Sequence, residues 1–225
     1  MTKPCAIIGW SSGKDCAYAL HKVRQEGEIE VVAMLSTTNE AFDRVAMHGT
    51  RNALLRAQAR AAGLPLIEVP LPFPCSNEEY EARMEAAMDK VKALDVTHMV
   101  FGDLFLEDVR DYRIKQLAPT GITPVFPVWG IPTDQLARMI IADGFDARIV
   151  TCDPSKMPRD LCGRRYDERF LADLPEGVDP CGENGEFHSA VVAGPIFSAP
   201  IPVETGETVE RDGFIYTDLI PTNAA

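Results

Sequence analysis

Two stretches of this chain combine residue types and spacings that could do chemistry. The first is residues 7–20, IIGWSSGKDCAYAL. An apolar, strand-forming start runs into Gly9, Ser11, Ser12 and Gly13, and then into Cys16, Ala19, Leu20 and Val23, which fall at i, i+3, i+4 and i+7 of a helix. Strand, tight loop and helix start in that order bring unpaired N–H groups and the positive end of the helix dipole to one point, an anion site. Lys14 adds a mobile positive charge there. The second stretch is residues 179–188, DPCGENGEFH, which packs Asp179, Glu183, Glu186, a cysteine, a histidine and two glycines into one loop. Glu183 and Glu186 could hold magnesium or position an ammonium nucleophile, and His188 could contact phosphate or transfer a proton. The plain alternative is a solvated turn.

The first stretch is not a Walker loop. That pattern needs four residues between its glycines and a Ser or Thr after the Lys, whereas three residues separate Gly9 from Gly13 and Asp15 follows Lys14. A dinucleotide fingerprint would need a third glycine where Cys16 stands. The run Ser11-Ser12-Gly13-Lys14-Asp15-Cys16 resembles the S-G-G-K-D-S signature of the PP-loop ATP pyrophosphatases, with Ser12 replacing a glycine and Cys16 a serine.

The elements needed to position these residues can be read from periodicity. Residues 29–35, IEVVAML, form a nearly continuous apolar run, as in a strand covered on both faces, and the polar stretch 36–44 follows as a ligand-side loop. An Ala-rich helix with Leu54, Leu55, Gln58, Ala59 and Ala62 on one side is closed by Gly63, and residues 66–71 restart as a strand. Ser76-Asn77-Glu78-Glu79 is a capping box for a helix whose stripe runs through Tyr80, Met84, Ala87, Met88, Val91 and Leu94. A strand over 97–101 ends in Gly102-Asp103, a helix spans about 107–117, and a strand follows over 122–126. Strands alternating with helices imply right-handed βαβ units and a parallel sheet. Residues 1–130 therefore read as a doubly wound α/β domain of Rossmann-like type.

Beyond residue 130 the character changes. A helix with Thr133 as its cap and Gly144 as its stop, a strand over 147–152, a loop-rich stretch, and extended segments over 191–197 and 208–219 with a turn at Asp212-Gly213 make residues 131–225 a smaller α+β domain.

Composition narrows the function. The chain of 225 residues has a formal net charge of −12, the wrong sign for wrapping a nucleic-acid backbone. It has no apolar run long enough for a membrane span and no basic-then-apolar leader, and its six cysteines are scattered without a C-x-x-C pair. These features point to a cytoplasmic protein with reduced thiols.

A specific resemblance joins the two stretches. Ser11 to Cys16, His48-Gly49, Gly102-Asp103 with Glu107 and Arg110, Phe126-Pro127-Val128-Trp129, and Gly182-Glu183-Asn184-Gly185-Glu186-Phe187-His188 with Gly194-Pro195 look like the diphthine–ammonia ligase family of PP-loop ATPases; relatives usually carry an aspartate where Ala193 stands. The resemblance implies that the chain adenylates a carboxylate with ATP, releasing pyrophosphate, and that ammonia displaces AMP to leave an amide. The carboxylate would belong to a small molecule or a protein side chain. It further implies a nucleotide site made of Ser11, Ser12, Gly13, Lys14, Asp15, Cys16, His48, Gly102 and Asp103; Asp15 and Asp103 are the candidates to hold Mg2+ or its waters, because Asp103 lies at a strand's carboxyl end beside the loop. Lys14, Glu183, Glu186 and His188 would carry the catalysis; Arg110 and Arg113 could be solvated helix charges or carboxylate clamps. The rival readings are a tRNA-modifying PP-loop enzyme, a nucleotide-binding protein without ligase chemistry, and a structural interaction protein that binds no ATP.

Overall fold

The apolar runs of the first 130 residues form one sheet in a computed structural model that describes residues 3–46 and 49–222. Its strands are β1 (Cys5–Gly9), β2 (Glu30–Asn39), β3 (Arg44–Val45), β4 (Leu66–Leu71), β5 (His98–Val100) and β6 (Thr123–Val125). β1, β2, β4, β5 and β6 are all parallel; β4 and β1 flank β2, β5 lies beside β1, and β6 closes that edge. In chain order the parallel strands therefore lie third, second, first, fourth, fifth. This is the doubly wound arrangement whose switch point falls between its first and fourth strands, here β1 and β5.

Alternation fixes the faces. Ile7, Ala33, Leu35, Val69, Leu71, Met99 and Phe101 point to one side and pack with Ala87, Met88 and Val91 of α3 (Asn77–Lys92) and Leu117 of α4 (Glu107–Leu117). Each Val, Leu, Ile, Met or Phe side chain among them, fully buried, contributes roughly 1.5–3 kcal/mol. Pro70 and Pro124 lie within strands, but only in β4 and β6, the two outer parallel strands, where a missing N–H is tolerated. Ser76 caps α3 by accepting from the Glu79 N–H at 3.2 Å. Leu94, read as part of the α3 stripe, lies past the helix and is exposed.

Two expectations need correction. The polar stretch after the second strand is not all loop: residues 36–39 continue β2, because their backbone pairs with Glu68, Val69, Pro70 and Leu71 of β4. Thr133 is not a cap. It is the first residue of α5 (Thr133–Ala142), and its hydroxyl donates instead to Asp179 Oδ2 at 2.6 Å.

A second sheet is wholly antiparallel: β7 (Asp146–Cys152), β8 (Phe187–Ala193), β9 (Val203–Arg211) and β10 (Phe214–Pro221) lie in the order β8-β7-β10-β9. Asp212 and Gly213 link β9 to β10 with φ of 51° and 81°, the left-handed pair that a two-residue hairpin turn requires.

By their contacts the residues gather into two compact units. One comprises residues up to Ser11, Asp15–Ala46 and Leu64–Gly130; the other comprises Ser12–Lys14, the segment ending at Gly63, and residues from Ile131 onward. The helix α2 (Asn52–Ala62), although it follows β2 in sequence, thus belongs with the second unit, where Arg51 at its start holds Asp218 of β10 through Nε at 2.9 and 3.0 Å.

Candidate active site

β1 ends at Gly9 and α1 (Lys14–Glu26) begins five residues later, and within the first unit the Ser11 hydroxyl and Cys16 thiol are hydrogen-bonded at 3.4 Å. Gly102, just past β5, comes so close to this helix that a Cβ on it would lie 2.6 Å from Cys16 N and 2.7 Å from the Asp15 carbonyl carbon. Only glycine permits that approach, and it joins the loops that follow the two switch-point strands. Asp103 comes next. Its Oδ2 is 3.5 Å from Arg113 Nε. Burial raises the Asp103 pKa, Arg113 opposes the rise, and the carboxylate of Asp15 adds to it. Asp15 and Asp103 therefore form an oxygen-rich pair whose mutual repulsion a hard divalent cation would relieve.

The two arginines expected to clamp a substrate carboxylate are already engaged. Arg113 faces Asp103 and lies 4.9 Å from the Phe101 ring centre, while the Arg110 guanidinium stacks 4.7 Å over Trp129 and 5.6 Å over Phe126.

In the second unit, two residues of the loop, Ser12 and Lys14, are gripped by distant segments. The Ser12 carbonyl accepts from the Val191 N–H at 3.0 Å and from Gln58 Nε2 at 3.1 Å, and Gln58 Nε2 also reaches the Val191 carbonyl at 2.7 Å. These bonds hold Ser12 at φ 71°, a left-handed conformation that costs a non-glycine residue roughly 1 kcal/mol. The Ser12 hydroxyl is buried, with no hydrogen-bond partner among the described residues.

Lys14 is not a mobile surface charge. Its residue is 2% exposed, its N–H donates to Ser189 Oγ at 3.2 Å, and its ammonium donates to the Cys181 carbonyl. The same ammonium sits 5.6 Å from the Tyr166 ring centre and 5.5 Å from that of Phe187, where ring quadrupoles favour a cation stripped of water.

The 179–188 loop is folded around its own carboxylates. Asp179 Oδ1 accepts from the N–H groups of Cys181 at 2.8 Å and Glu183 at 3.3 Å. Glu186, 3% exposed, accepts from the Asp179 N–H at 3.2 Å, the Asn184 N–H at 2.9 Å and Asn184 Nδ2 at 3.1 Å. It is a buried clasp and not a solvated turn residue. Glu183 is half-buried. His188 lies on β8, opposite Thr151. Burial, and then the charge of Lys14, pushes its pKa down to about 4, so its imidazole is neutral at pH 7.

Of the sequence-derived candidates, the first unit thus brings together Ser11, Asp15, Cys16, Gly102 and Asp103, and the second brings together Ser12, Lys14 and His188 in one cluster, with Glu183 and Glu186 in the loop leading to it. His48 lies outside the described residues. Gln58, Tyr166 and Ser189 were missed as site residues; only Gln58 left a signal, a lone amide in an apolar helix stripe. Among the described residues no group of three or more His, Cys, Asp or Glu is arranged to hold a metal, and no helix is long and apolar enough to cross a membrane.

Comparison with known proteins gives this geometry a family. A family model described as the diphthamide synthase N-terminal domain matches residues 4–119, and one described as the diphthamide synthase C-terminal domain matches residues 132–218. The chain belongs to the diphthamide synthase family. It is also 25% identical over 224 residues, covering 88% of this chain and 82% of the relative, to a diphthine–ammonia ligase of Rattus norvegicus. In the family's terms, Ser11 to Cys16 and Gly102-Asp103 lie in the N-terminal domain, and Glu183, Glu186 and His188 lie in the C-terminal one.

Proposed function

We propose that this protein is an ATP-dependent ligase that converts a carboxylate to an amide with ammonia, passing through an acyl adenylate. The observation that carries the reading is the contact of Gly102 with Asp15 and Cys16 at the start of α1, which joins the loops that follow β1 and β5 at the switch point of a doubly wound sheet. Membership of the diphthamide synthase family and the name of the rat relative support the amide-forming half, and make a diphthine-type carboxylate on a protein the first substrate to try.

In the first step a carboxylate oxygen attacks the α-phosphorus of ATP; the bond to the bridging oxygen breaks and pyrophosphate leaves. Ser11, Ser12, Gly13 and Cys16 contribute N–H and hydroxyl or thiol groups to the phosphates, the unpartnered Ser12 hydroxyl being the readiest, and Lys14 offsets charge growing on the leaving group. His48 and Gly102 complete the nucleotide contacts. Asp15 and Asp103 would hold a magnesium ion, which would supply positive charge to offset that of the triphosphate and needs only one or two protein carboxylates. In the second step ammonia attacks the acyl carbon and AMP departs. Neutral His188 takes the proton lost by the nitrogen, Glu183 orients the incoming amine, and Glu186 holds the loop that carries Glu183.

Exchange of labelled pyrophosphate into ATP tests the first step. It should appear only with a competent carboxylate present and without ammonia. Exchange with no dependence on any carboxylate would overturn the reading.

A further inference from the structure

Within the first unit, α3 and α4 cover one face of the sheet without closing on each other. α3 packs along β4 and α4 along β6, and over β5 they leave an open cavity of about 370 Å3. Protein interiors hold few voids larger than a water, and small-molecule sites begin at roughly 300 Å3. The interior of the cavity is apolar and adaptable. Met84 and Met88 of α3 line it together with Met99 of β5 and Phe101 just past that strand. Methionine side chains fit irregular shapes and make favourable contacts with aromatic rings. Met88, Met99 and Phe101 are buried, whereas Tyr112, Glu81 and Glu85 are exposed and mark the mouth.

Polar groups not engaged within the protein share this lining. The side chains of Tyr80, Tyr112 and Gln116 make no hydrogen bond among the described residues. Arg113, half-buried over the Phe101 ring, is paired with Asp103 only loosely: at 3.5 Å the contact is an ion pair, and Arg113 Nε and Asp103 Oδ2 are both buried with no hydrogen-bond partner among the described residues. A guanidinium carries five N–H donors and no acceptor, and each phenol adds one O–H, so donors dominate the set. A carboxylate is the acceptor such a set holds best. The charged lining residues, Glu81, Glu85, Lys92 and Arg113, cancel in sum. Glu81, Glu85 and Lys92 are exposed and keep their water, which leaves Arg113 as the charge with most to gain from a ligand.

We propose that this cavity is a binding site for a small monocarboxylate with an apolar, aromatic body. The carboxylate takes N–H donors of Arg113 and the hydroxyls of Tyr80 and Tyr112, and the body lies among Met84, Met88 and Met99. Because the lining charges cancel, a polyanion such as a nucleoside triphosphate is disfavoured here. The site stands apart from the ligase reading and does not rest on it.

The test uses the full chain with 13C-labelled methionine methyls, titrated with phenylbutyrate or with its neutral amide and followed by NMR. Met84→Leu, Met88→Leu and Met99→Leu assign the three signals. The expected result is a saturable shift of these three methyls, the other methionines being little changed, with a dissociation constant of about 1 mM or tighter. Binding of the amide to the wild-type chain, and of the acid to Arg113→Met, should be weaker by at least about 10-fold. The proposal is overturned if phenylbutyrate gives no saturation at these methyls up to about 10 mM, if the shifts spread over all the methionines, or if the amide binds as well as the acid. Because acid and amide are compared on the wild-type chain, an Arg113→Met variant that fails to fold does not blur the outcome.

Discussion

The Lys14 ammonium donates a hydrogen bond to the carbonyl oxygen of Cys181, a residue 167 positions later in the chain. The charge proposed to serve the phosphate chemistry is therefore buried in a pocket of aromatic rings and a carbonyl, next to a histidine that it helps to keep neutral.

Replacing that charge should separate function from stability. Lys14→Met keeps the volume and removes a desolvated cation, so the fold should survive while adenylation falls at least about 100-fold. The pH dependence supplies an independent sign. His188 has a folded pKa of about 4 against 6.5 unfolded, so between these values the unfolded chain binds more protons and stability is lost as pH falls. Lys14→Met removes one cause of the depression, so the loss of thermal stability between pH 6.5 and 4.5 should be shallower than in wild type. A steeper loss, or a variant unfolded at pH 7, would show that Lys14 serves the fold and not the phosphate.

Gly102→Ala tests the switch-point contact. The added methyl meets backbone atoms at 2.6 and 2.7 Å, which cannot turn aside as a side chain could. Either the start of α1 or the loop after β5 must shift, at a cost of about 1–3 kcal/mol. A lower denaturation midpoint together with weaker calorimetric ATP binding is expected. Wild-type values for both would mean that the close approach is irrelevant to the nucleotide.

The division of labour between the two acidic residues of the 179–188 loop can be measured by proteolysis and amide yield. In Glu186→Gln one of the N–H groups now accepted by the carboxylate must face an NH2, a loss of roughly 1–3 kcal/mol, and the loop should become susceptible to protease. Glu183→Gln should leave the loop protected and lower amide formation. If Glu186→Gln stays as resistant as wild type, the clasp does not hold the loop.

How much of this was legible in the sequence depended on how far apart the interacting residues are. Strand and helix seeds such as Ile7, Leu35, Val69 and the α3 stripe announce themselves by period, because burial of one face is a local pattern. Residues 36–39 do not, because they are polar and become strand only through pairing with residues about thirty positions away. Lys14 reads as exposed for the same reason: Tyr166, Cys181 and Phe187 enclose it from far along the chain. The Glu186 clasp was closer to hand, because its donors lie within seven residues; the loop's acidity drew attention to solvent and metal and away from its own N–H groups.

The central claim is that ATP is cut between its α- and β-phosphates to make an amide. It is tested most directly by quantifying nucleotide products in a reaction with 15N-ammonia and a diphthine-type carboxylate protein. AMP and pyrophosphate should appear in step with one 15N amide per turnover. ADP and phosphate as the main products, or AMP formed without label entering the acceptor, would contradict it.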